Sequence, residues 1–404
     1  ENTGLTDTIE NFDTWSGSRD LVTNNENWNI ALYRGDTADN DYVLLDGWTG
    51  NFNHNLKIYT PYLASEVGLS QRHKGVWDES KYQLTSIANA HTLYADSVPY
   101  LEVEGLQLET TTGGTTYKGA IVIDNTVMDP VYTYVSHNII RESTSGTTGN
   151  YGILFNTAYR PSFIYNNIVY GFNGSSAAGI GFGNDTNDTD FAYVLNNTVY
   201  NSTTCIIPGY KEVVAINNIV QACHTSALSS TSNYEIEMNN ITNMAIASGT
   251  NTVTNATVSF NNLAAKDFRL SSSEANAIGA GVNFSGDTRL SFNTDISGAK
   301  RGQNWDIGAT SFVNSLSNGS SLTNLVTSAI SINSFSVTTT LLGDANSNAS
   351  VNLYFCNDTD NPGCNPLIQN PTLLTGSTGE FSGSITGLTT PNDACLLYTS
   401  DPAD

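Results

Sequence analysis

A short pattern of apolar residues recurs along the chain, and each copy is centred on polar residues, usually two asparagines. In FIYNNIVYGF, residues 163 to 172, β-branched and aromatic residues flank the pair. Related segments are SHNIIRE, LNNTVYN, INNIVQA, MNNITNM and FNNLAAK. The residues that align with the second asparagine are Asn138, Asn167, Asn197, Asn218, Asn240 and Asn262. Their spacings of 29, 30, 21, 22 and 22 residues indicate a solenoid rather than a sandwich of hairpins.

The repeat predicts a strand on each side of a bend at the asparagines. Asparagine tolerates the left-handed backbone region, and its side-chain amide both donates and accepts hydrogen bonds. Coils stacked about 4.8 Å apart would place one amide above the next. The residues two positions further on are mostly apolar, as expected of an inward-facing position: Ile140, Val169, Val199, Val220, Thr242 and Ala264. We therefore predict that the six aligned asparagines form a ladder at one corner of a parallel β-helix.

The pattern changes after residue 310. Residues 311 to 330 are rich in serine and asparagine, which predicts a linker. From residue 331, apolar and polar residues alternate between Gly and Asn turns, which predicts an immunoglobulin-like or fibronectin-like β-sandwich. The chain is thus expected to be all-β, with a β-helix in residues 1 to 310 and a small sandwich in residues 331 to 404.

Composition and charge exclude some classes of partner. The net charge of -23, from 38 acidic and 15 basic residues, disfavours nucleic acid and anionic lipid. No run of 18 apolar residues occurs, so no membrane span is predicted. The low charged fraction of 13% suits an extracellular all-β protein. A chain that begins at Glu1 leaves open a removed secretion signal or a fragment of a longer protein.

Two pairs of cysteines carry different expectations. Cys356 and Cys364 flank a Pro-Gly turn, which predicts a disulfide and an oxidising compartment. Cys205 and Cys223 fall in adjacent coils but lie at different distances from their bends. That difference favours two buried thiols over a bridge between the coils.

Two further stretches resemble a known class of proteins. KDFRLSSSEANAIGAG (266 to 281) and DISGAKRGQNWDIGA (295 to 309) resemble the closing segment of many bacterial right-handed parallel β-helix proteins. Residues 41 to 84 are similar to the start of a group of such proteins from environmental bacteria. The resemblance implies a right-handed solenoid of the pectate-lyase-like superfamily over about residues 10 to 310. That superfamily includes lyases, hydrolases, phage tailspikes and adhesins, so the fold alone does not choose a function.

Catalysis has weak support in the sequence, and no catalytic residue is assigned. A lyase on this fold needs a basic residue with a lowered pKa, and the best cluster is Arg72, His73 and Lys74. The aromatic and charged residues around that cluster favour packing and a solvated loop instead. A hydrolase needs two carboxylates on one face, and Glu142 has no acidic counterpart in the next coils.

Binding has slightly more support. Three residues beyond the ladder asparagines lie Arg141, Tyr170, Tyr200 and Gln221, a file of flat side chains suited to sugar rings. The alternative is that this file packs under a loop. Asp344, Asn346 and Asn348 repeat the first three ligand positions of a calcium loop, which makes calcium the one candidate cofactor. The twelfth position is Phe355 rather than glutamate, so a simple hairpin turn is the default there.

We expect an extracellular or cell-surface protein with a structural or adhesive role, whose partners are glycans or other surface proteins. One alternative is a carbohydrate-active enzyme, either a polysaccharide lyase or a hydrolase. The other is a filament subunit that self-associates end to end through unpaired strand edges.

The last ten residues, CLLYTSDPAD, are what a transposase adapter used in sequencing libraries would encode, except that Pro402 stands one base away from the expected alanine. We therefore expect the natural sequence to diverge near Ala394 and the sandwich to be truncated. The alternative is a genuine final strand, because LLYTS has β character.

Overall fold

The structure is a computed structural model. It describes residues 19–40, 42–62, 70–86, 91–111, 118–125, 132–144, 148–158, 161–183, 191–209, 212–228, 234–245, 249–287 and 290–312, and the backbone of six later strands. The predicted calcium residues Asp344, Asn346 and Asn348 lie outside the described residues, as do the side chains of Cys356 and Cys364.

In the first compact unit, Glu1–Phe312, the described residues from 28 to 242 form a parallel β-helix whose strands make up three sheets. A short helix, α1 (Leu21–Asn24), precedes the coils. Sheet 1 lies before the asparagine bend and contains β1 Trp28–Ala31, β3 Leu56–Tyr59, β6 Leu101–Glu104, β9 Thr133–Ser136, β12 Ser162–Tyr165, β15 Phe191–Leu195, β18 Glu212–Ile216 and β21 Tyr234–Met238. Sheet 2 follows the bend and contains β4 Leu84–Ser86, β7 Gln107–Thr110, β10 Ile139–Glu142, β13 Ile168–Tyr170, β16 Thr198–Tyr200, β19 Ile219–Gln221 and β22 Ile241–Thr242. Sheet 3 contains β2 Val43–Asp46, β5 Leu93–Asp96, β8 Lys118–Asn125, β11 Asn150–Ala158, β14 Ala178–Phe182, β17 Thr204–Ile207 and β20 Ser226–Leu228.

The interior of the β-helix is a stack of aliphatic side chains. Parallel pairing in register places equivalent residues of successive coils directly above one another. On sheet 2 the inward residues Ile140, Val169, Val199, Val220 and Thr242 are buried, which confirms their predicted orientation. Ala264, the sixth residue of that prediction, is exposed, so the prediction is wrong there. Burying one isoleucine or valine side chain contributes about 1.5–3 kcal/mol.

Five of the six predicted asparagines form the ladder. Asn138 Nδ2 donates to Asn167 Oδ1 at 3.0 Å, and the same bond continues to Asn197, Asn218 and Asn240 at 3.0, 3.1 and 3.0 Å. Each receiving Oδ1 also accepts the backbone N–H of the asparagine one coil earlier. The second Nδ2 proton goes to a backbone carbonyl, such as that of Val135 below Asn167 at 2.8 Å. The fully buried amides are therefore satisfied, as buried polar groups must be.

The first residue of each pair makes the bend itself. His137, Asn166, Asn196, Asn217 and Asn239 have φ values of 57, 54, 51, 60 and 51°, all in the left-handed region. Asparagine reaches this region more readily than most residues with a Cβ atom. The pair thus divides two tasks, because the first residue turns the chain and the second builds the ladder. We call these first residues the corner row.

Asn262 does not belong to the ladder, so this part of the prediction is wrong. It is exposed and accepts the Ala265 N–H at the start of a 3₁₀ turn, Leu263–Ala265. Asn262 is the last residue of strand β23 (Phe260–Asn262), which pairs antiparallel with β24 (Asp267–Leu270) rather than with a neighbouring coil. The described residues from 257 to 312, which we call the closing segment, have left the coil and fold back along the outside.

Cys205 and Cys223 form a disulfide, which corrects the prediction of two buried thiols. Both lie in the interior core cluster, and their Cα atoms are 5.6 Å apart, within the range that a disulfide spans. The bridge joins a residue of strand β17 to a residue of the next coil's corner, ahead of β20. The prediction failed because it required equivalent positions in the two coils.

The second compact unit, Val313–Asp404, is described by its backbone alone. Its strands are β25 Ser321–Ser331, β26 Ser334–Leu342, β27 Ser350–Asn357, β28 Thr372–Ser377, β29 Glu380–Thr386 and β30 Asp393–Ser400. They pair antiparallel, and β28 pairs with β27 through its first half and with β29 through its second. A strand that changes partners in this way is typical of the corner of a sandwich. Strand β25 begins at Ser321, so it takes up the second half of the predicted linker, residues 311 to 330.

Replacing a ladder asparagine should destabilise the β-helix strongly. Asn197→Ala removes the Oδ1 atom that accepts two hydrogen bonds from Asn167, leaving buried donors unsatisfied. At about 1–3 kcal/mol for each such group, the free energy of unfolding should fall by about 3 kcal/mol or more. All five tryptophans precede residue 313, so their fluorescence in a urea titration reports on this unit. The matched control, Asn262→Ala, should cost no more than about 1 kcal/mol. Equal losses in both variants would contradict the assignment of the ladder.

The disulfide should survive proteolysis as a cross-link. Trypsin cleavage at Lys211 separates Cys205 from Cys223 in sequence, so the two peptides should remain joined until a reductant is added. Removing both cysteines as alanines should lower the free energy of unfolding by about 3 kcal/mol, as expected for a loop of this length. Recovery of both cysteines alkylated from unreduced, denatured protein would refute the bridge.

Candidate functional site

The predicted sugar-binding file on sheet 2 is aligned as expected. Arg141 is paired in register with Tyr170, Tyr170 with Tyr200, and Tyr200 with Gln221. The file is not open, however, because Tyr170 is 7% exposed and Gln221 only 4%.

The protein's own chain covers this file from both ends of the unit. In the closing segment, the Phe268 ring lies 5.1 Å from the Tyr170 ring and 5.3 Å from the Tyr200 ring. At the other end, the Arg141 guanidinium lies 3.6 Å from the centre of the Trp77 ring and pairs with Glu109 at 2.6 Å. Phe268 therefore lies against both tyrosine rings, where a sugar ring would have to stack. The structure therefore fits the alternative interpretation, in which Arg141, Tyr170, Tyr200 and Gln221 pack under another part of the chain.

The basic cluster at the start of the β-helix is built into the corner between sheets 1 and 2. Arg72 donates to Glu104 at 2.9 Å and to the Thr60 carbonyl at 3.0 Å, and Lys57 pairs with Glu104 and Glu102. Gly105 occupies the corner-row position of this coil with φ of 78°. A Cβ atom there would lie 1.9 Å from Arg72 Nε, so the guanidinium fills the space that a side chain would take.

The electrostatics of this cluster do not suit acid–base catalysis. Burial raises the pKa of Glu104, but the charges of Arg72 and Lys57 outweigh it and lower that pKa to about 2. Burial lowers the pKa of Lys57, and its two glutamate partners raise it above the usual value. At neutral pH the glutamate therefore holds no proton to donate, and the lysine has no lone pair to accept one. Of the three residues that the sequence singled out, Arg72 contributes an ion pair, with Glu104, to this corner.

Two buried histidines complete this corner. Burial, with the nearby charge of Arg72, lowers the pKa of His73 to about 3. Burial likewise lowers the pKa of His137 to about 3, against an opposing effect of Glu104. His137 Nε2 lies 3.2 Å from Asn166 Nδ2, and its ring packs edge-on against Tyr165. Both rings are therefore neutral in the folded protein at physiological pH.

The corner row holds the closing segment against the coils. Asn166 Nδ2 donates to the Thr294 carbonyl at 2.8 Å, and Arg301 donates to Asn166 Oδ1 at 2.7 Å. Further along, Asn196 donates to the Asp306 carbonyl at 3.0 Å, and Asn217 to the Val282 carbonyl at 2.8 Å. The first asparagine of each pair thus binds the covering segment as well as turning the chain.

Sequence reasoning missed a row of aspartates on sheet 3. Asp46 is paired in register with Asp96, and Asp96 with Asp124. Tyr94 Oη and Asn156 Nδ2 lie 3.4 and 3.2 Å from Asp124 Oδ2. The signal was present in the sequence as VLLDG, LYADS and IVIDN, three apolar runs that each lead into an aspartate. Within the described ranges, no group of three or more His, Cys, Asp or Glu side chains is arranged to hold a metal ion.

A row of aromatic rings lies on the outer side of sheet 1, and the sequence analysis did not identify it. Tyr134, Phe163 and Tyr193 occupy one register position in three successive coils. Their rings stack at 4.9 and 5.0 Å with interplanar angles of 9 and 8°. Two more rings lie beside these three: the Tyr132 ring is 6.2 Å from Phe163, and the Phe191 ring is 6.3 Å from Tyr193. We call these five residues the aromatic row, and all but Phe163 are partly exposed.

No protein-family model matches this chain, and no curated protein or solved structure matches it either. Among the residues that the structure describes, no helix has the length and apolar character needed to cross a bilayer. The function must therefore be argued from the geometry of the coils themselves.

The buried histidines should make stability depend on pH. Their folded pKa of about 3 lies below the usual 6.5, so the unfolded chain binds more protons as the pH falls through 6.5. Stability is complete above that pH and declines below it. Between pH 6 and 5 the loss should be about 1 kcal/mol per histidine, measured by urea unfolding at each pH. His137→Asn should remove one such contribution. An unchanged slope in His137→Asn would contradict this account.

Proposed function

We propose that this chain is an extracellular or cell-surface protein of structural or adhesive function, whose β-helix belongs to the pectate-lyase-like kind and acts as a rigid support. The observation that carries the proposal is the unbroken ladder from Asn138 to Asn240. It links successive coils by buried hydrogen bonds at every step, so no coil can open without exposing unsatisfied amides in its neighbours.

The closing segment and its contacts with the N-terminal half of the β-helix support the same function. The closing segment is held along the corner row, and Gly75 of the N-terminal half would place a Cβ atom 3.2 Å from Ile296. Residues near both ends of the β-helix are thus packed against each other on its outer side. Such packing resists the stepwise unravelling to which solenoids are prone, because their coils contact only their neighbours. The Cys205–Cys223 disulfide fits an oxidising, extracellular location.

The aspartate row favours a second candidate function, that of a carbohydrate-active enzyme. Residues in register on adjacent parallel strands lie about 4.8 Å apart, and those two strands apart about 9.6 Å. Glycoside hydrolases place their two carboxyl groups about 5–5.5 or 6.5–9.5 Å apart. The register of Asp46, Asp96 and Asp124 therefore gives distances between strands that are close to the carboxyl separations of a hydrolase. Asp46 is exposed to solvent.

A rigid support requires the coils to unfold as one unit. We expect the backbone amides from β9 to β21 to exchange with deuterium only through global unfolding, so that their opening free energies converge. Hydrogen exchange followed by mass spectrometry across a urea series measures this directly. Asn197→Ala should lower all of these free energies together, by the same amount as in the equilibrium titration.

Coils that open independently would refute the support function. Turnover of a polysaccharide, measured as new reducing ends or unsaturated products, would favour the enzyme instead. That activity should be lost in Asp96→Asn and kept in Asp36→Asn. Asp36 is a suitable control because it is exposed and lies outside the aspartate row.

A further inference from the structure

The aromatic row is less deeply buried than the predicted file on sheet 2. Tyr170 and Gln221 are buried, whereas Tyr134 and Tyr193 on sheet 1 are partly exposed. One side of Tyr193 packs against the apolar cluster that includes Phe284 and Trp305. We propose that the aromatic row binds a neutral polysaccharide along the axis of the β-helix. This inference rests on the adhesive function proposed above and names its ligand class and its site.

The row is ordered before any ligand arrives. Phe163 is 3% exposed and sits between the rings of Tyr134 and Tyr193, each nearly parallel to it. Three stacked rings at strand spacing fix one another's rotamers, so binding costs little side-chain entropy. Phe163 has a ring against each face, whereas Tyr134 and Tyr193 each have a parallel ring on one face. Tyrosine combines apolar contact area with a hydrogen-bonding tip, a combination suited to a sugar.

A carboxylate lies at the N-terminal end of the row. Glu102 is paired in register with Tyr134 and is partly exposed. Burial first, and then the charge of Glu102, raise the pKa of Tyr134, so the phenol stays protonated and can donate a hydrogen bond. A carboxylate accepts hydrogen bonds from sugar hydroxyl groups while the phenol both donates and accepts. The two groups therefore complement the hydroxyl groups of an uncharged sugar chain.

The charges around the row select against other ligands. Glu102 lies at one end, and exposed Glu212 is paired in register with Phe191 near the other. Lys57, on the preceding strand of sheet 1, is paired in register with Glu102. Its ammonium group forms ion pairs with Glu102 and Glu104. With a net charge of -23 for the whole chain, the surface repels uronic-acid polymers. A second copy of the same face would bring its own glutamates against these, which disfavours pairing of two protein molecules through the row.

The test measures binding of the full chain to soluble xyloglucan, a neutral polymer, and to polygalacturonate, an anionic one, by affinity electrophoresis and calorimetry. We expect binding to the neutral polymer alone. Removing one ring contact should weaken it by about tenfold, so Tyr134→Ala and Tyr193→Ala should each show that loss. Tyr134→Phe keeps the stacked ring and should lose less than Tyr134→Ala. Phe52→Ala, which removes an aromatic ring that is 74% exposed outside the row, should bind as the unaltered protein does.

Several outcomes would overturn the proposal. They are no binding to xyloglucan, equal binding to polygalacturonate, binding unaffected by both tyrosine variants, or a dimer that dissociates in those variants. Each variant's urea midpoint shows whether the β-helix is intact, so lost binding cannot be mistaken for unfolding. A failed binding test leaves the hydrogen-exchange result standing, whereas independent opening of the coils would refute the support function whatever the row binds.

Discussion

Buried amide groups must find hydrogen-bond partners, and in this protein that constraint sets the arrangement of the coils. Each ladder asparagine satisfies its side chain only when the next asparagine lies one coil above it and in register. A shift by one residue would turn the amide to the other side of the strand and bury an unpaired polar group. The ladder therefore fixes register at one corner, and parallel pairing carries that register into all three sheets. Rows of equivalent side chains on each outer face are a direct consequence.

The features that could be predicted from the sequence are those that repeat. The second asparagine of each pair and the apolar residue two positions later recur with the coil, so Asn197 and Val199 could be placed without coordinates. The parallel β-helix and its inward-facing residues followed from that repeat. Even the alignment of Arg141 with Tyr170 was predictable, because a constant offset from the ladder puts two residues in one file.

The features that escaped prediction are those that break the repeat or depend on what covers it. Asn262 matches the motif, but the chain around it does not form another coil. Strands β23 and β24 pair antiparallel there, as in a hairpin. The Cys205–Cys223 bridge joins positions that are not equivalent, so register alone argued against it. Burial of Tyr170 by Phe268 depends on a contact between residues about a hundred positions apart, which no local pattern reveals. The aspartates of sheet 3 were visible in the sequence but sit on a different sheet from the motif that was being followed.

Register has opposite consequences for different kinds of side chain, and this determines where function can lie. Stacking aligns dispersion contacts in the aromatic row, so Phe163 gains a parallel ring on each side from the same geometry that aligns the coils. Stacking aspartates brings like charges to strand spacing, which costs free energy. That cost is reduced in the aspartate row because hydrogen bonds reach Asp124 from Tyr94 and Asn156, and because the strand ends are partly open to water. A row that gains stability from register can persist simply as packing, so its partial exposure, rather than its existence, is what points to a ligand.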